Sequence, residues 1–228
     1  IIPMGIHADD SGADLFGAIL DTALGGGGLS NDTIVQGLLE ALKVGTGNAV
    51  TSVSLEDGYL GNNLIKIPLP DDVQQAESLI RLAGFGDKLD EFVVSMNRAA
   101  EKAAPEAKEL FMGAIKEITF SDARRILEGR DNEATLYFKD KTEDKLFKVF
   151  QPIVNEALND VGVTKDYKEL EGIINTLPIK GAGDFQLEKY VTDKALDGLF
   201  TVVAQEEKKI RENPEARVND ILKKVFGN

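Results

Sequence analysis

GDKLDEFVVSMNRAAEKAAPEAKELFMGAIKEITFSDARRILEGRDNEATLYFKDKT, residues 86–142, is the stretch whose reading decides the fold. Leu89, Phe92, Val93, Met96, Ala99, Ala100 and Ala103 recur at spacings of three and four, which places them on one helix face. Proline belongs in a first helical turn and not in an interior, so one helix is predicted to end near Ala104 and another to start at Pro105. The second carries Ala107, Leu110, Phe111, Ala114, Ile115 and Ile118 on its apolar face. Alanines at 99, 100, 103 and 104 leave room for a close helix approach or for a ligand against backbone. Ser121 is predicted to cap DARRILE, and Gly129 to end it in a left-handed turn. Asp131 or Asn132 would cap EATLYFK, and Thr142 the helix after it. Repeated caps, short helices and glycines imply an all-α, compact multi-helix bundle.

Outward from this centre the pattern continues. Asp71 is placed to cap a helix with Val73, Ala76, Ile80 and Ala83 inward, ended by Gly84 to Gly86. Upstream, DGYLGNNLIKIPLP reads as an extended, proline-containing strap over 57–70. Prolines 68 and 70 hold their predecessors extended, and Ile65, Ile67 and Leu69 alternate so that one side can be buried. Before it, a helix carries Val35, Leu38, Leu39, Leu42, Ala49, Val50 and Val53, with Gly45 and Gly47 marking a break, a kink or a close crossing. GGGG at 25–28 is a linker that separates an N-terminal arm, 1–28, from the helical domain, 29–228. Within the arm, Leu15, Phe16, Ile19, Leu20 and Leu24 form an apolar helix face, a candidate surface for self-assembly into a homo-oligomer. The start at Ile1 reads as an end left by processing or trimming.

Downstream, KLFKVFQPIVNEALNDVG continues as helix with Pro152 inside, where a kink is expected. Thr164 would cap YKELEGIINTL. LEKYVTDKALDGLFTVVAQEEKKIREN reads as one long helix, and Asn213-Pro214 opens a last one through Val225.

Composition bounds the function. A formal charge of −13 argues against a general nucleic-acid partner, because phosphate neutralisation needs a basic surface. With no cysteine, disulfides, thiolate catalysis and cysteine-ligated zinc are excluded. No apolar run reaches the roughly 20 residues of a transmembrane span. His7, the one histidine, lacks a positioned partner for acid–base work. No Gly-x-Ser-x-Gly elbow and no phosphate loop is present. No catalytic residue, cofactor or metal is therefore assigned. Asp57, Asn62 and Asn63, like Asp131, Asn132 and Glu133, read as turn and cap chemistry and not as calcium ligands.

One constellation merits weighing as a ligand site. Asn97, Arg98 and Glu101 share a helix, and Asp122 and Arg125 share another. A planar guanidinium beside carboxylates could grip an anion; the plainer reading is an ion-pair network or a solvated helix face. Glu206, Glu207, Lys208, Lys209 and Arg211 form a further charged group, with the same plainer reading, an ion-pair network or a solvated helix face.

DGYLGNNLIKIPLP, SMNRAAEKAAPEAK, DARRILEGRDNEATLYFKDKT and YVTDKALDGLFTVVAQEEKKIRENP, in this order, resemble a bacterial domain-of-unknown-function family, number 4197 (DUF4197), over about residues 29–227. The resemblance implies a mostly helical protein, usually preceded by a signal or lipoprotein signal, hence periplasmic or envelope-associated, or extracellular. It implies no catalytic residues. The expectation is a non-catalytic binding or self-assembling module. The alternative is an enzyme or small-ligand binder using the Arg/carboxylate site.

Overall fold

A computed structural model describes residues 31–160, 172 and 186–212. Among them there is no strand. Helix α1 spans Asn31–Ser54, α2 Asp71–Ile80, α3 Gly86–Ala103, α4 Ala107–Lys116, α5 Phe120–Glu128, α6 Glu133–Asp160 and α7 Leu187–Glu212. The all-α class is as the periodicity implies. The N-terminal arm, the segment headed by Thr164 and the segment after Asn213 lie outside the described residues.

The core forms where α6 and α7 run against each other and against α1 and α3. Phe92 and Met96 from α3, Phe111 from α4, Tyr137, Phe138 and Phe150 from α6, and Leu199 from α7 are buried there. Phe111 meets Phe138 at 5.3 Å and Phe200 at 6.1 Å between ring centres, tilted or edge-on as aromatic quadrupoles prefer. The Tyr137 hydroxyl donates to the Ala114 carbonyl, so this large side chain is buried without an orphan polar atom. The alanine run is fully buried, from Ala99 to Ala107 at the positions read as small. Both α1 and α6 cross the 3₁₀ turn at Ala104–Glu106, so the small side chains serve helix approach.

Several local expectations are corrected. Helix α1 runs through Gly45 and Gly47 unbroken. A Cβ at 45 would sit 3.0 Å from Ile210 Cδ1, so this glycine marks a close crossing with α7. Pro70, not Asp71, precedes α2, and no side chain caps it. Ala83 is exposed, because α2 stops at Ile80 and the chain turns through Gly84 at φ 90°. The cap of α5 is Thr119, not Ser121, in a reciprocal box with Asp122. Gly129 is not left-handed, with φ −85° and ψ −167°. What it supplies is room, since a Cβ there would lie 2.5 Å from the Arg125 carbonyl oxygen. Thr142 starts no helix; it is buried inside α6 and its hydroxyl donates to the Phe138 carbonyl. Pro152 lies inside α6, as the sequence placed it.

The strap is extended at its end and turned at its start. The Gly58 amide donates to the Leu55 carbonyl and the Gly61 amide to the Asp57 carbonyl, both at 2.9 Å, and Asp57 sits at φ 64°. Asp is among the few side chains that adopt this left-handed region readily. Beyond the turns Ile65, Ile67 and Leu69 are buried while Leu64 and Lys66 face out, the alternation read from the sequence. Ile67→Ala should cost about 3 kcal/mol by transfer and cavity terms. A chelator should leave the melting temperature unchanged if burial of Ile65, Ile67 and Leu69 is what orders the strap. Thermal unfolding of the two proteins, with and without chelator, checks both.

Candidate functional site

Asn97 lies on the inward face of α3, wholly buried. Its side-chain oxygen accepts from the Ile67 amide at 2.8 Å, and its nitrogen donates to the Ile67 carbonyl at 3.0 Å. One primary amide thus offers the strap what a neighbouring strand would, a donor and an acceptor for the same residue. That answers why extended backbone can be buried without a sheet: its polar groups are met by a side chain. The Asn97 nitrogen also donates to the Val93 carbonyl.

Glu101, one turn further along α3, is 5% exposed. Its Oε1 accepts from the Tyr59 amide at 3.0 Å and the Leu60 amide at 3.3 Å. Its Oε2 accepts from Arg98 Nη1 at 2.6 Å. The other guanidinium nitrogen, Nη2, donates to Asp57 Oδ1 at 2.6 Å, with Glu56 at 3.5 Å. Hydrogen bonds to Glu101 and then Asp57 push the Arg98 pKa up and hold the group charged. Arg98 keeps 33% of its side chain exposed. The trio therefore forms a clasp: α3 grips the turned start of the strap through Glu101 and Arg98, and its extended end through Asn97.

The opposite jaw is α7. Tyr59 is fully buried and its hydroxyl donates to the Ala195 carbonyl at 2.7 Å. Its ring lies over Gly198, where a Cβ would come within 2.6 Å of Cε1, so α7 needs a glycine there. Tyr190, half-buried, donates its hydroxyl to the Pro68 carbonyl at 3.1 Å. Burial, then the Glu101 charge, raises the Tyr59 pKa well above the ordinary phenol value. Burial, then the Asp71 charge, pushes Tyr190 up to about 12. A phenol raised in the fold contributes stability that is intact below its unfolded value of about 10 and is lost as pH rises through its folded value. The melting temperature should therefore hold to pH of about 10 and fall steadily above it. Tyr190→Phe should make that fall shallower. A pH series of melting curves checks this.

Asp122 and Arg125 belong elsewhere. Asp122 accepts from the Thr119 hydroxyl at 2.7 Å and the Thr119 amide at 3.1 Å, and these bonds hold its pKa below the usual carboxylate value. Arg125 is 56% exposed and makes only loose pairs, 3.8 Å to Asp122 and 3.9 Å to Glu133. No described hydrogen bond or ion pair joins these two to the Asn97–Arg98–Glu101 clasp.

A second buried polar group lies at the far end of α7. Glu207, 8% exposed, accepts from the amides of Ala134 and Thr135 and from the Thr135 hydroxyl, at 2.8–2.9 Å. These are the second and third residues of α6, whose amides have no partner within their own helix. Arg211 pairs with Glu207 at 2.8 Å and donates to the Ile126 carbonyl, an orphan acceptor in the last turn of α5. One ion pair on α7 thus caps the end of α5 and the start of α6. Neither Gly129 nor Asp131 does that work, as the local sequence suggested.

Next to this pair is a small recess walled by Leu38, Ala41, Leu42, Ile126, Leu127 and Ile210. Its walls are almost wholly aliphatic. Among the described residues no group of three or more acidic or imidazole side chains is placed to hold a metal ion. None of the described helices is long and apolar enough to cross a membrane.

Fold and clasp together define an all-helical module with structural, inward-facing polar groups. The chain belongs to the family described as protein of unknown function (DUF4197), whose model matches residues 28–227. No curated protein and no solved structure matches the chain.

Proposed function

We propose that this chain is a non-catalytic bacterial module of the periplasm or envelope that works by binding, with self-association through Leu15, Phe16, Ile19, Leu20 and Leu24 as its form. One observation carries the non-catalytic part: the polar atoms of Asn97 and Glu101 are spent on the strap backbone and on Arg98. A group that holds the fold together cannot be withdrawn for chemistry without loosening the fold. The envelope placement rests on the family resemblance. The self-association rests on the apolar spacing in the sequence of the arm; a short helix of that pattern would be marginal alone in water and would need a surface to bury against.

Light scattering over a concentration series tests the reading, comparing the full chain with one beginning at Leu29. The full chain should form a higher-order species that collapses to monomer on deletion and in Phe16→Asp. Identical monomeric masses would refute self-association.

The alternative, a small-ligand or catalytic site on Arg98, has that residue's partial exposure in its favour. It would require an anion to displace Asp57. Phosphate or citrate raising the melting temperature of the parent but not of Arg98→Ala would support it.

A further inference from the structure

We propose that the Asp57–Gly58 pair is a site of spontaneous aspartate isomerisation, held unreactive by Arg98 while the strap is clasped. In this reaction the Gly58 backbone nitrogen attacks Asp57 Cγ and a C–N bond forms. The carboxyl gives up its hydroxyl and the amide its proton, together one water. Water then reopens the cyclic imide at either carbonyl, giving back aspartate or leaving isoaspartate, whose backbone runs through the side-chain carbon. No oxidant, metal or second substrate is consumed. Glycine as the second residue favours the reaction, because the absent Cβ leaves its nitrogen accessible and its backbone free to turn.

The fold imposes this pair. A Cβ at Gly58 would lie 2.6 Å from the Ser52 carbonyl oxygen, 2.8 Å from that of Val53 and 2.9 Å from that of Leu55. Only glycine fits there. Asp57 adopts φ 64° and supplies the oxygen that Arg98 binds. Its side chain is 61% exposed, so water reaches the carboxyl. Three hydrogen bonds hold the reacting groups in place. The Gly58 amide donates to the Leu55 carbonyl at 2.9 Å, and the Asp57 carbonyl accepts from the Gly61 amide at 2.9 Å. Asp57 Oδ1 accepts from Arg98 Nη2 at 2.6 Å. The first two belong to the turn itself; the third comes from α3. Ring closure requires the amide to leave Leu55 and the carboxyl to swing away from Arg98. The product would carry an extra methylene in the backbone immediately before Gly58 and Tyr59. The Tyr59 amide, which donates to Glu101 at 3.0 Å, would be displaced, so isomerisation would loosen the strap permanently.

A second Asp-Gly pair supplies an internal reference. Asp197–Gly198 lies inside α7, with the Tyr59 ring against Gly198. Its reaction therefore reports unfolding of the helix and not release of Arg98. The test incubates the full-length parent, Arg98→Ala and Arg98→Lys at physiological temperature and pH, with the parent in urea alongside. Isoaspartate is quantified at both pairs by peptide mapping and mass spectrometry. In urea the two pairs should react alike; in the folded parent each should be at least about tenfold slower. Arg98→Ala should raise Asp57 alone, by about tenfold. Arg98→Lys keeps a cation beside Glu101, but one ammonium does not span both carboxylates as the guanidinium does. It should show the same selective rise, and it decides the question if Arg98→Ala fails to fold. Reaction at Asp57 as fast in the folded parent as in urea would overturn the proposal. So would an unchanged Asp57 rate in the folded variants, or Asp57 and Asp197 rising in step in Arg98→Lys.

Discussion

Glu101→Ala should destabilise the protein by about 3–5 kcal/mol, the usual cost of breaking a buried ion pair by removing one partner. For a chain of this size that is a fall of about 10 °C in melting temperature. The substitution orphans the Tyr59 and Leu60 amides and removes one of the two carboxylates that hold Arg98 at 2.6 Å, the buried one. Glu101→Gln keeps an acceptor for the amides and loses only the charge, so it should fall between. Arg98→Ala should cost less, about 1–2 kcal/mol, because a third of that side chain is already in water and the amides keep their acceptor. An order reversed between Glu101→Ala and Arg98→Ala in thermal melts would place the strength of the clasp in the surface pair and not in the buried carboxylate.

Glu207→Ala is expected to cost a similar amount, about 3–5 kcal/mol. It leaves two first-turn amides of α6 without an acceptor, removes a negative charge from a helix N-terminus, and takes from Arg211, whose side chain is 12% exposed, a carboxylate at 2.8 Å. The diagnostic measurement is a double-mutant cycle. Glu207→Ala with Arg211→Met should be less destabilised than the sum of the single changes, because the two singles break the same ion pair. Strict additivity in urea unfolding would show that the two residues act separately.

The helices were legible wherever apolar spacing was continuous, as in α3 and α7, since period alone decides which face is buried. So was the strap, because prolines at 68 and 70 and the alternation of Ile65, Ile67 and Leu69 leave few alternatives. Grouping Asn97, Arg98 and Glu101 followed from helix spacing. What they grip did not, because Tyr59 and Ile67 lie 42 and 30 residues away in sequence. Two cap readings failed locally: Thr119, two residues before Ser121, boxes with Asp122, and Thr142 lies inside α6. The end of α5 and the start of α6 are met at long range from α7, with Glu207 lying 72 residues beyond Thr135. A sequence signal for Glu207 did exist. It continues the apolar row Leu199, Val203 on α7, and a carboxylate in that row is buried with a partner or not at all. The charges of 206–211 admit an ion-pair network or a solvated face, and for Glu207 and Arg211 it is the first that holds.

The structural role of the clasp is tested most directly by native-state hydrogen exchange at three strap amides, Tyr59, Leu60 and Ile67. Their acceptors are Glu101 and Asn97, and no helix ladder protects them. The amide of the exposed Leu64, bonded to the Asn62 side-chain oxygen, is the internal reference. A structural clasp requires Tyr59 and Ile67 to exchange far more slowly than Leu64, at a rate approaching that of the core helices. Glu101→Gln should speed exchange at Tyr59 and Leu60 more than at Ile67. Exchange at Tyr59 and Ile67 as fast as at Leu64 would contradict it, because Asn97 and Glu101 would then be available for some other task.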